Sequence, residues 1–340
     1  MENVKTEILK KIRPSKEEVE KVKRFVSDLQ AVAKTVSGLD AVIVGSLGKM
    51  TWIAGDHDID LFLMLDQTVP REELERLGLE YGKRIVEELG GKSKIKYAEH
   101  PYVHAVIRGF DVDIVPCYRI SSGEKIKSAV DRSPLHLRYV IDYMKPQMTD
   151  EIRLLKQFCK GIGIYGSDAK HLGFSGYICE LLVLNYGSFD KVIEAAVNWH
   201  APFMINVERH LGVSASKFRD QPLIIIDPVD PDRNAAAVVS GDNFIKFINA
   251  CKQFLKKPSA KFFFAAQKKS LDAKQLSALK SRGTQFIALQ FKRPDIIDDV
   301  LYPQLRAAVE RLVSLINHEE FKALRSFEFA DSDPILVFEM

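Results

Sequence analysis

Runs of apolar residues between positions 41 and 65 predict the first β-strands of the chain. The apolar, β-branched run Ala41–Val44 predicts a short buried strand that ends at a Gly-Ser pair. A second strand is predicted over residues 59–65, with Asp58 directly before it. Because residues two apart on a strand point to the same face, we expect Asp58 and Asp60 to project side by side.

Another alternating segment lies about fifty residues further along the chain. The run Phe110–Pro116 predicts a strand that places Asp111 and Asp113 on one face. The residue pattern alone leaves open which of these two acids would join the first pair. A single D-x-D motif is often only solvated charge at a strand edge, but two acidic strands and a Gly-Ser turn together favour a catalytic site.

Helical periodicity and strand signals divide the chain into three predicted domains. Residues 1–118 form a mixed sheet with helices on one side, beginning with a helix that Ser15 caps and Glu18 supports. Residues 119–255 are mainly helical, and residues 256–340 mix strands and helices. The predicted fold class is therefore α+β. The individual segments are helices near 71–89, 151–158, 176–184, 243–255 and 302–316, and strands near 95–97, 104–107, 112–115, 223–226, 286–291 and 335–338.

The chemistry of the acids indicates divalent cations and a nucleotide. Two close carboxylates repel each other unless a cation lies between them. Mg²⁺ is commonly held by one or two carboxylates together with substrate phosphates. Two such ions, roughly 3.5–4 Å apart, can activate an attacking hydroxyl and stabilise a leaving pyrophosphate. In the turn after the first strand, the hydroxyl of Ser46 and the cation of Lys49 suit a triphosphate.

Composition changes this picture little. The 340 residues are 46% hydrophobic and 28% charged, as in ordinary globular proteins. The net charge is +3, so binding of nucleic acid would depend on local basic patches. The four cysteines are widely spaced without a C-x-x-C pair, which predicts reduced thiols and neither a zinc site nor disulfides. Without an apolar span or a signal sequence, we expect a cytoplasmic protein.

Several segments in a single order resemble the archaeal (class I) CCA-adding enzymes of the DNA polymerase β-like superfamily. The stretch from Gly45 to Phe62 is similar to the catalytic head of those enzymes. Further similar segments cover nearly the whole chain: Tyr97–His104, Asp113–Tyr118, Ile126–Arg132, Phe174–Glu180, Asp227–Asp230 with Arg233-Asn234, Lys292–Asp299 and Leu301–Leu305.

The resemblance implies a fold and a reaction. The fold would be a polymerase β-like nucleotidyltransferase head, a helical central domain for nucleotide and base recognition, and an α/β body domain that contacts RNA. The reaction would be template-independent addition and repair of the 3′-terminal CCA of tRNA from CTP and ATP, with release of pyrophosphate. The family also suggests a homodimer. Because the chain ends at Met340, the tail domain that family members usually carry would be absent.

The resemblance also assigns site residues. Asp58, Asp60 and Asp113 would be catalytic and would hold two Mg²⁺ ions, with Asp113 nearest the attacking 3′-hydroxyl. Family members commonly carry Arg at the position of Lys49 and Glu at the position of Asp58, and both differences preserve the chemistry. The residues that would bind ATP or CTP are Ser46, Lys49, His136, Lys156, Tyr165 and Arg233.

Other side chains have two interpretations. His100 and His104 are interpreted as structural. A basic and aromatic segment could hold RNA, but a solvated lysine face over a packed phenylalanine core is the favoured interpretation of its aromatics. The segment contains Lys252, Lys256, Lys257 and Lys261 with Phe254, Phe262, Phe263 and Phe264, and its basic character continues through Lys268, Lys269, Lys274 and Lys280.

Two other functions remain open from the sequence. One is another template-independent RNA nucleotidyltransferase, of the poly(A) or oligoadenylate type, which would make long homopolymers or work without CTP. The other is a non-catalytic tRNA-binding protein on the same fold. That second function would be accompanied by lost carboxylates, whereas all three are present.

Overall fold

The structure, a computed structural model, describes residues 1–97, 99–121, 123–265 and 272–340. Lys268 and Lys269, which extend the predicted basic segment, lie outside the described residues. The chain forms two compact units. The larger comprises Met1–Tyr165 and Phe174–Ala265, and the smaller comprises Gly166–Gly173 and Ala266–Met340. The division into three domains stays a prediction.

The N-terminal part of the larger unit carries a five-stranded sheet. Its strand order is β1-β2-β5-β4-β3, and β2 and β5 pair in parallel while the other neighbours are antiparallel. The elements are α1 Glu2–Ile12, α2 Lys16–Ser37, β1 Asp40–Ile43, α3 Gly45–Gly48, β2 Asp58–Leu65, α4 Arg71–Glu88, β3 Lys92–Tyr97, β4 Pro101–Ile107 and β5 Phe110–Tyr118. The predicted mixed sheet is confirmed.

Local sequence explains how α2 begins and ends. The Ser15 hydroxyl accepts a hydrogen bond from the Glu18 amide, which satisfies one of the free N–H groups of the first turn. Gly38 follows the helix in the left-handed conformation, with φ +69. The apolar stripe of α2 and that of α4 pack on one face of the sheet. The opposite face carries a second apolar cluster that includes Phe62, Met64, Val115 and Cys117, and the acids lie on that face at the starts of β2 and β5.

The rest of the larger unit is mainly helical, as predicted. Its helices are α5 Arg132–Tyr143, α6 Met148–Gly161, α7 Gly176–Tyr186, α8 Phe189–Ala196 and α9 Gly241–Lys256, and its strands are β6 Phe203–Asn206, β7 Leu223–Asp227 and β8 Asp230–Asn234. The strand order is β6-β7-β8. The helices surround an aromatic core in which Phe158 contacts Phe189, Phe254 and Phe263 at centroid distances of 5.6–5.7 Å.

This core decides between the two interpretations of the basic and aromatic segment. Phe254 and Phe263 are fully buried and Phe262 nearly so, while Phe264 is 36% exposed. The lysines predicted beside them are exposed on the surface: Lys252, Lys256, Lys257 and Lys261. A packed phenylalanine core is therefore confirmed for three of the four rings, and each buried ring stabilises the fold by about 1.5–3 kcal/mol.

The smaller unit has its own sheet and core. Its elements are α10 Ala273–Lys280, β9 Phe286–Gln290, α11 Asp298–His318, β10 Arg325–Phe329 and β11 Ile335–Glu339. The antiparallel order is β10-β11-β9. Residues Leu301, Leu305 and Val309 of α11 are buried in one cluster with Leu336 and Phe338 of β11. The predicted helix near 302–316 and both predicted strands are confirmed.

All four cysteines are free thiols in buried positions, which agrees with the prediction that the chain has no disulfide. Burial raises the pKa of Cys117 and of Cys251, so both are inert packing residues. Among the described helices, none combines the length and apolar character that crossing a bilayer demands.

Candidate active site

The four acids of the two predicted strands lie side by side on neighbouring strands. The parallel pairing of β2 and β5 sets Asp58 opposite Asp111 and Asp60 opposite Asp113. All four side chains point away from the face that α2 and α4 cover, because the residues that alternate with them, such as Ile59 and Val112, are in the core. Sheet register thus brings together acids that are about fifty positions apart.

These acids line a cleft of about 390 Å³. Asp58 and Asp111 are exposed at its edge, whereas Asp60 and Asp113 are half-buried. The complete lining is Asp58, Ile59, Asp60, Lys96, His104, Asp111 and Asp113. A concave, acid-lined cleft of this kind suits a small cationic group together with a phosphate ester.

The electrostatics of the cleft fit a divalent cation. Burial, followed by the charges of Asp113 and Asp58, raises the pKa of Asp60 to about 6. Burial and the charges of Asp56 and Asp111 also raise the pKa of Asp58. These carboxylates repel one another without full compensation, which is the environment that a bound cation relieves. Within the described residues, no group of three His, Cys, Asp or Glu side chains is already closed around a metal position.

His104 distinguishes Asp113 from Asp111. Its Nδ1 lies 2.6 Å from Oδ1 of Asp113, whereas its Nε2 lies 3.9 Å from Asp111. The histidine fixes the orientation of Asp113 and leaves the other carboxylate oxygen for a ligand. His104 therefore belongs to the cleft, whereas His100 lies beside Glu75, at 3.2 Å.

The turn between β1 and α3 packs directly against one of these acids. Gly45 has φ +65, a conformation that favours glycine. The Val44 amide donates to the carbonyl of Asp60 at 2.9 Å, and the Gly45 Cα faces the Asp60 carboxylate. Ser46 lies in α3 and Lys49 directly follows that helix. The charge of Lys49 opposes the rise in the pKa of Asp60, so this lysine lies near the acids.

Lys49 and Lys156 meet at a buried glutamate. Nζ of Lys49 lies 2.7 Å from Glu180 Oε2, and Nζ of Lys156 lies 2.9 Å from Glu180 Oε1. Thr51 completes the group, since its hydroxyl bonds to Glu180 at 2.8 Å and to Lys156 at 2.8 Å. Lys156 also donates to the Thr51 carbonyl, so all three of its N–H donors are engaged.

This buried group, which we call the Glu180 cluster, holds two positive charges around one negative charge. Burial would raise the pKa of Glu180, but the charges of Lys156 and Lys49 outweigh it and hold that pKa at about 2. Burial lowers the pKa of Lys156, although Glu180 opposes that shift. The cluster therefore has an excess positive charge beside the acid-lined cleft, where a polyphosphate would be stabilised.

Tyr165 approaches the same cluster at Gly176. A Cβ atom at Gly176 would lie 3.1 Å from the Tyr165 hydroxyl and 3.4 Å from Nζ of Lys156. The absence of a side chain at Gly176 thus leaves room for both predicted residues at the start of α7. Burial raises the pKa of the Tyr165 phenol well above its usual value, so the group stays a neutral hydrogen-bond donor.

The remaining predicted residues share another buried acid, Asp227. Its Oδ2 lies 2.8 Å from Nε2 of His136 and 2.6 Å from Nη1 of Arg233. Its Oδ1 accepts the Tyr177 hydroxyl at 3.2 Å. The His136 and Tyr177 rings stack with centroids 3.9 Å apart. We call these four side chains the Asp227 cluster.

The two clusters adjoin each other through Tyr177, whose ring lies 5.2 Å from Nζ of Lys49. The structure thus places five of the six predicted nucleotide contacts in two neighbouring groups, whereas Ser46, in α3, is in neither. No role was predicted for Glu180, Asp227, Tyr177 and Thr51. For Glu180 in α7 and Asp227 at the end of β7, the sequence feature that could have indicated a functional role was an acid within an apolar run.

Comparison with known proteins identifies the class. The chain resembles the solved structures of a cytoplasmic RNA terminal U-transferase (TM-score 0.60, 14% identity, 78% of this chain and 98% of the other) and of the Cid1 poly(U) polymerase (TM-score 0.61, 14% identity, same coverage). Residues 19–136 match the nucleotidyltransferase domain family. The fold and the site define a nucleotidyltransferase of the DNA polymerase β-like class.

Two further matches specify the family. Residues 150–264 match the second domain of tRNA nucleotidyltransferase, and residues 282–340 match the C-terminal domain of CCA-adding enzyme. The chain is 39% identical to the CCA-adding enzyme of Methanocaldococcus jannaschii (100% of this chain, 79% of the relative) and 38% identical to that of Archaeoglobus fulgidus (100% and 76%). The chain belongs to the CCA-adding enzyme family.

Proposed function

We propose that this protein adds and repairs the 3′-terminal CCA sequence of tRNA, without a template, from CTP and ATP. The observation that carries the proposal is the register of β2 and β5, which sets Asp60 beside Asp113 next to the Glu180 cluster. Relatives that are 38–40% identical over nearly the whole chain support the choice of substrate. The two alternatives, another terminal transferase and a non-catalytic binding protein, are not favoured.

The acids are proposed to hold the catalytic cations. Asp58, Asp60 and Asp113 are the residues that would bind two Mg²⁺ ions, and their mutual repulsion supports that assignment. When bound, the ions would lower the pKa of the attacking hydroxyl and neutralise the leaving pyrophosphate.

The chain's own residues orient the reactants. Asp113, held by His104, is placed to face the RNA 3′-hydroxyl as it loses its proton and attacks the α-phosphorus. The backbone and hydroxyl of Ser46 adjoin the triphosphate. Among the described residues, Lys49 donates one hydrogen bond, to Glu180, which leaves N–H groups for a phosphate. Lys156 must break its hydrogen bonds to Thr51 before it can donate to a phosphate. The Tyr165 hydroxyl is a further donor next to Lys156.

The Asp227 cluster is proposed to recognise the base and sugar. Arg233 presents a planar set of donors, and His136 lies against the Tyr177 ring. Because both donors are anchored on the buried Asp227, a base would meet groups that are already oriented. A single site of this kind would serve CTP and ATP in turn, together with the growing RNA end.

Three further aspects complete the proposal. The division into domains 1–118, 119–255 and 256–340 is proposed to separate catalysis, nucleotide recognition and RNA contact. A homodimer and a cytoplasmic location are also proposed, and sedimentation at working concentration and fractionation of cells would test them. A monomer at all concentrations would contradict the first, and recovery only with membranes would contradict the second.

The test of the function uses a tRNA transcript that lacks its 3′-terminal CCA, with Mg²⁺ and with CTP and ATP singly and together. We expect C, C and then A to be added. An Asp60→Ala variant should lose the activity by about a thousandfold or more, since metal-ion stabilisation of the transition state is worth several kcal/mol. Long homopolymers, or addition that ignores CTP, would replace the proposal by its first alternative.

A further inference from the structure

A row of lysines lies at the edge of the catalytic sheet, on the face that carries the acids. Lys92, Lys94 and Lys96 are two positions apart on β3, so their side chains share one face of that strand. All six residues of β3 are exposed. Within the described part of the chain, no carboxylate is paired with any of the three lysines.

Sheet register connects this lysine row to the catalytic acids. Lys94 is opposite His104 in β4, which is opposite Asp113 in β5, which is opposite Asp60 in β2. Four strands therefore present one continuous line of side chains from acid to lysine. Since neighbouring strands are about 4.8 Å apart, the Lys94 backbone lies roughly 10 Å from that of Asp113. Lys96 itself lines the acid cleft.

The acids thus have cations on two sides. On the side of β1 and α3 the positive charge is the buried Glu180 cluster, with fixed geometry. On the side of β3 the charge is exposed and carried by flexible side chains. Fixed, buried cations suit one small polyphosphate, whereas a line of exposed lysines suits a backbone that must shift after each addition.

We propose that Lys92, Lys94 and Lys96 form the binding site for the phosphodiester backbone of the single-stranded RNA 3′ end. The site holds the terminal hydroxyl against Asp113 while the nucleotide enters from the opposite side. The lysines also offset the repulsion between the RNA and the uncompensated carboxylates. The inference rests on the proposed function, since it takes an RNA 3′ end as the second substrate.

The test measures RNA binding directly, without nucleotide or Mg²⁺, so that it is independent of catalysis. One RNA hairpin carries a single-stranded 3′ extension of three nucleotides, and a matched hairpin ends blunt. Binding of both is measured by fluorescence anisotropy for the unmodified protein and for a triple variant with Lys92→Gln, Lys94→Gln and Lys96→Gln. Lys83→Gln is the control, because Lys83 is exposed on α4, which covers the other face of the sheet.

At physiological salt, the triple variant should bind the extended hairpin at least about tenfold more weakly. The slope of log affinity against log salt concentration should become shallower by about 1.4–2.1, since each single-strand phosphate contact contributes about 0.7. Its affinity for the blunt hairpin should match that of Lys83→Gln. Equal loss on both hairpins, or no loss on either, would overturn the inference. Failure of the proposed function would instead show as normal RNA binding without CCA addition by the unmodified protein.

Discussion

Gly45 leaves no room for a side chain beside Asp60: a Cβ atom at Gly45 would lie 2.3 Å from Oδ2 of that acid. Real Cβ atoms do not approach an oxygen this closely, so any other residue would displace the carboxylate. The left-handed backbone at Gly45, with φ +65, adds a second reason for glycine. The absence of a side chain at Gly45 thus leaves room for the carboxylate of Asp60, which we propose to be catalytic.

A Gly45→Ala variant should lose both activity and stability. Left-handed strain and overpacking together predict a loss of about 2–4 kcal/mol in the free energy of unfolding. Displacement of Asp60 should lower kcat by at least about a hundredfold, as metal sites tolerate little error in position. Gly38→Ala is the matched control, since Gly38 has φ +69 but open space around its Cα, and it should cost only about 1 kcal/mol. Similar effects of the two substitutions would contradict the close approach.

Asp60 should make the metal-free protein less stable as pH rises. Its pKa in the folded state is about 6, above the ordinary value of 3.8, so the folded state binds the proton more tightly. The contribution of protonated Asp60 to the stability of the folded state is fully present below pH 3.8 and is lost as pH rises to 6. At pH 7 in the presence of a chelator, the free energy of unfolding of Asp60→Asn should therefore be about 1–3 kcal/mol larger than that of the unmodified protein.

Added Mg²⁺ should reverse that order. It should raise the melting temperature of the unmodified protein and leave Asp60→Asn nearly unchanged, because the cation relieves repulsion that the variant lacks. Asp142→Asn, at an exposed acid on α5, is the control and should respond like the unmodified protein. Should Asp60→Asn be the less stable protein in the chelator, the uncompensated repulsion does not exist.

Removing the charge of Glu180 should lower the free energy of unfolding. Glu180→Gln leaves two buried ammonium groups without a counter-ion, and breaking such a pair costs about 3–5 kcal/mol. Because the folded-state pKa of Glu180 is about 2, its contribution is present above pH 4.5 and is lost as pH falls towards 2. The deficit of the variant in denaturant unfolding should therefore shrink below pH 4.5. Glu87→Gln, at an exposed position, should show neither effect.

Asp227→Asn should weaken nucleotide binding without affecting the binding of RNA. Asp227 is fully buried and orients His136, Tyr177 and Arg233, so loss of its charge frees two proposed base contacts. We expect KM for CTP and ATP to rise about tenfold or more, and the affinity for extended RNA hairpins to stay constant. Asp232→Asn on the exposed part of β8 is the control. Unchanged nucleotide affinity in a folded variant would exclude the Asp227 cluster from the site.

The acidic cleft was predictable because the alternation of residues along each strand determines which side chains share a face. Period two fixes which residues of β2 and β5 share a face, and the apolar neighbours of Asp60 and Asp113 fix which face is buried. The parallel pairing itself brings both pairs of acids into line, which follows from packing across the sheet.

The buried acids were not predictable in the same way. Glu180 lies in an apolar run of α7, where pattern indicates only core, and its partner Lys49 is 131 positions away. A buried charge is tolerated only where a distant partner compensates it, and no local pattern reports the partner. Strand β8 was missed for a related reason, since its sequence DPDRN has no apolar alternation and pairs only because β7 is beside it.

The separation of Lys49 from Glu180 also bears on how the chain matures during synthesis. While the ribosome has released only the five-stranded sheet, Lys49 has no counter-ion and must remain in water. Its burial waits until α7 has emerged, 131 residues later. The Glu180 cluster thus closes only after the sheet that carries the acids has been made, and long-range contacts of this kind form slowly. A nascent chain would therefore acquire its acids before the buried cations that we propose to hold the triphosphate.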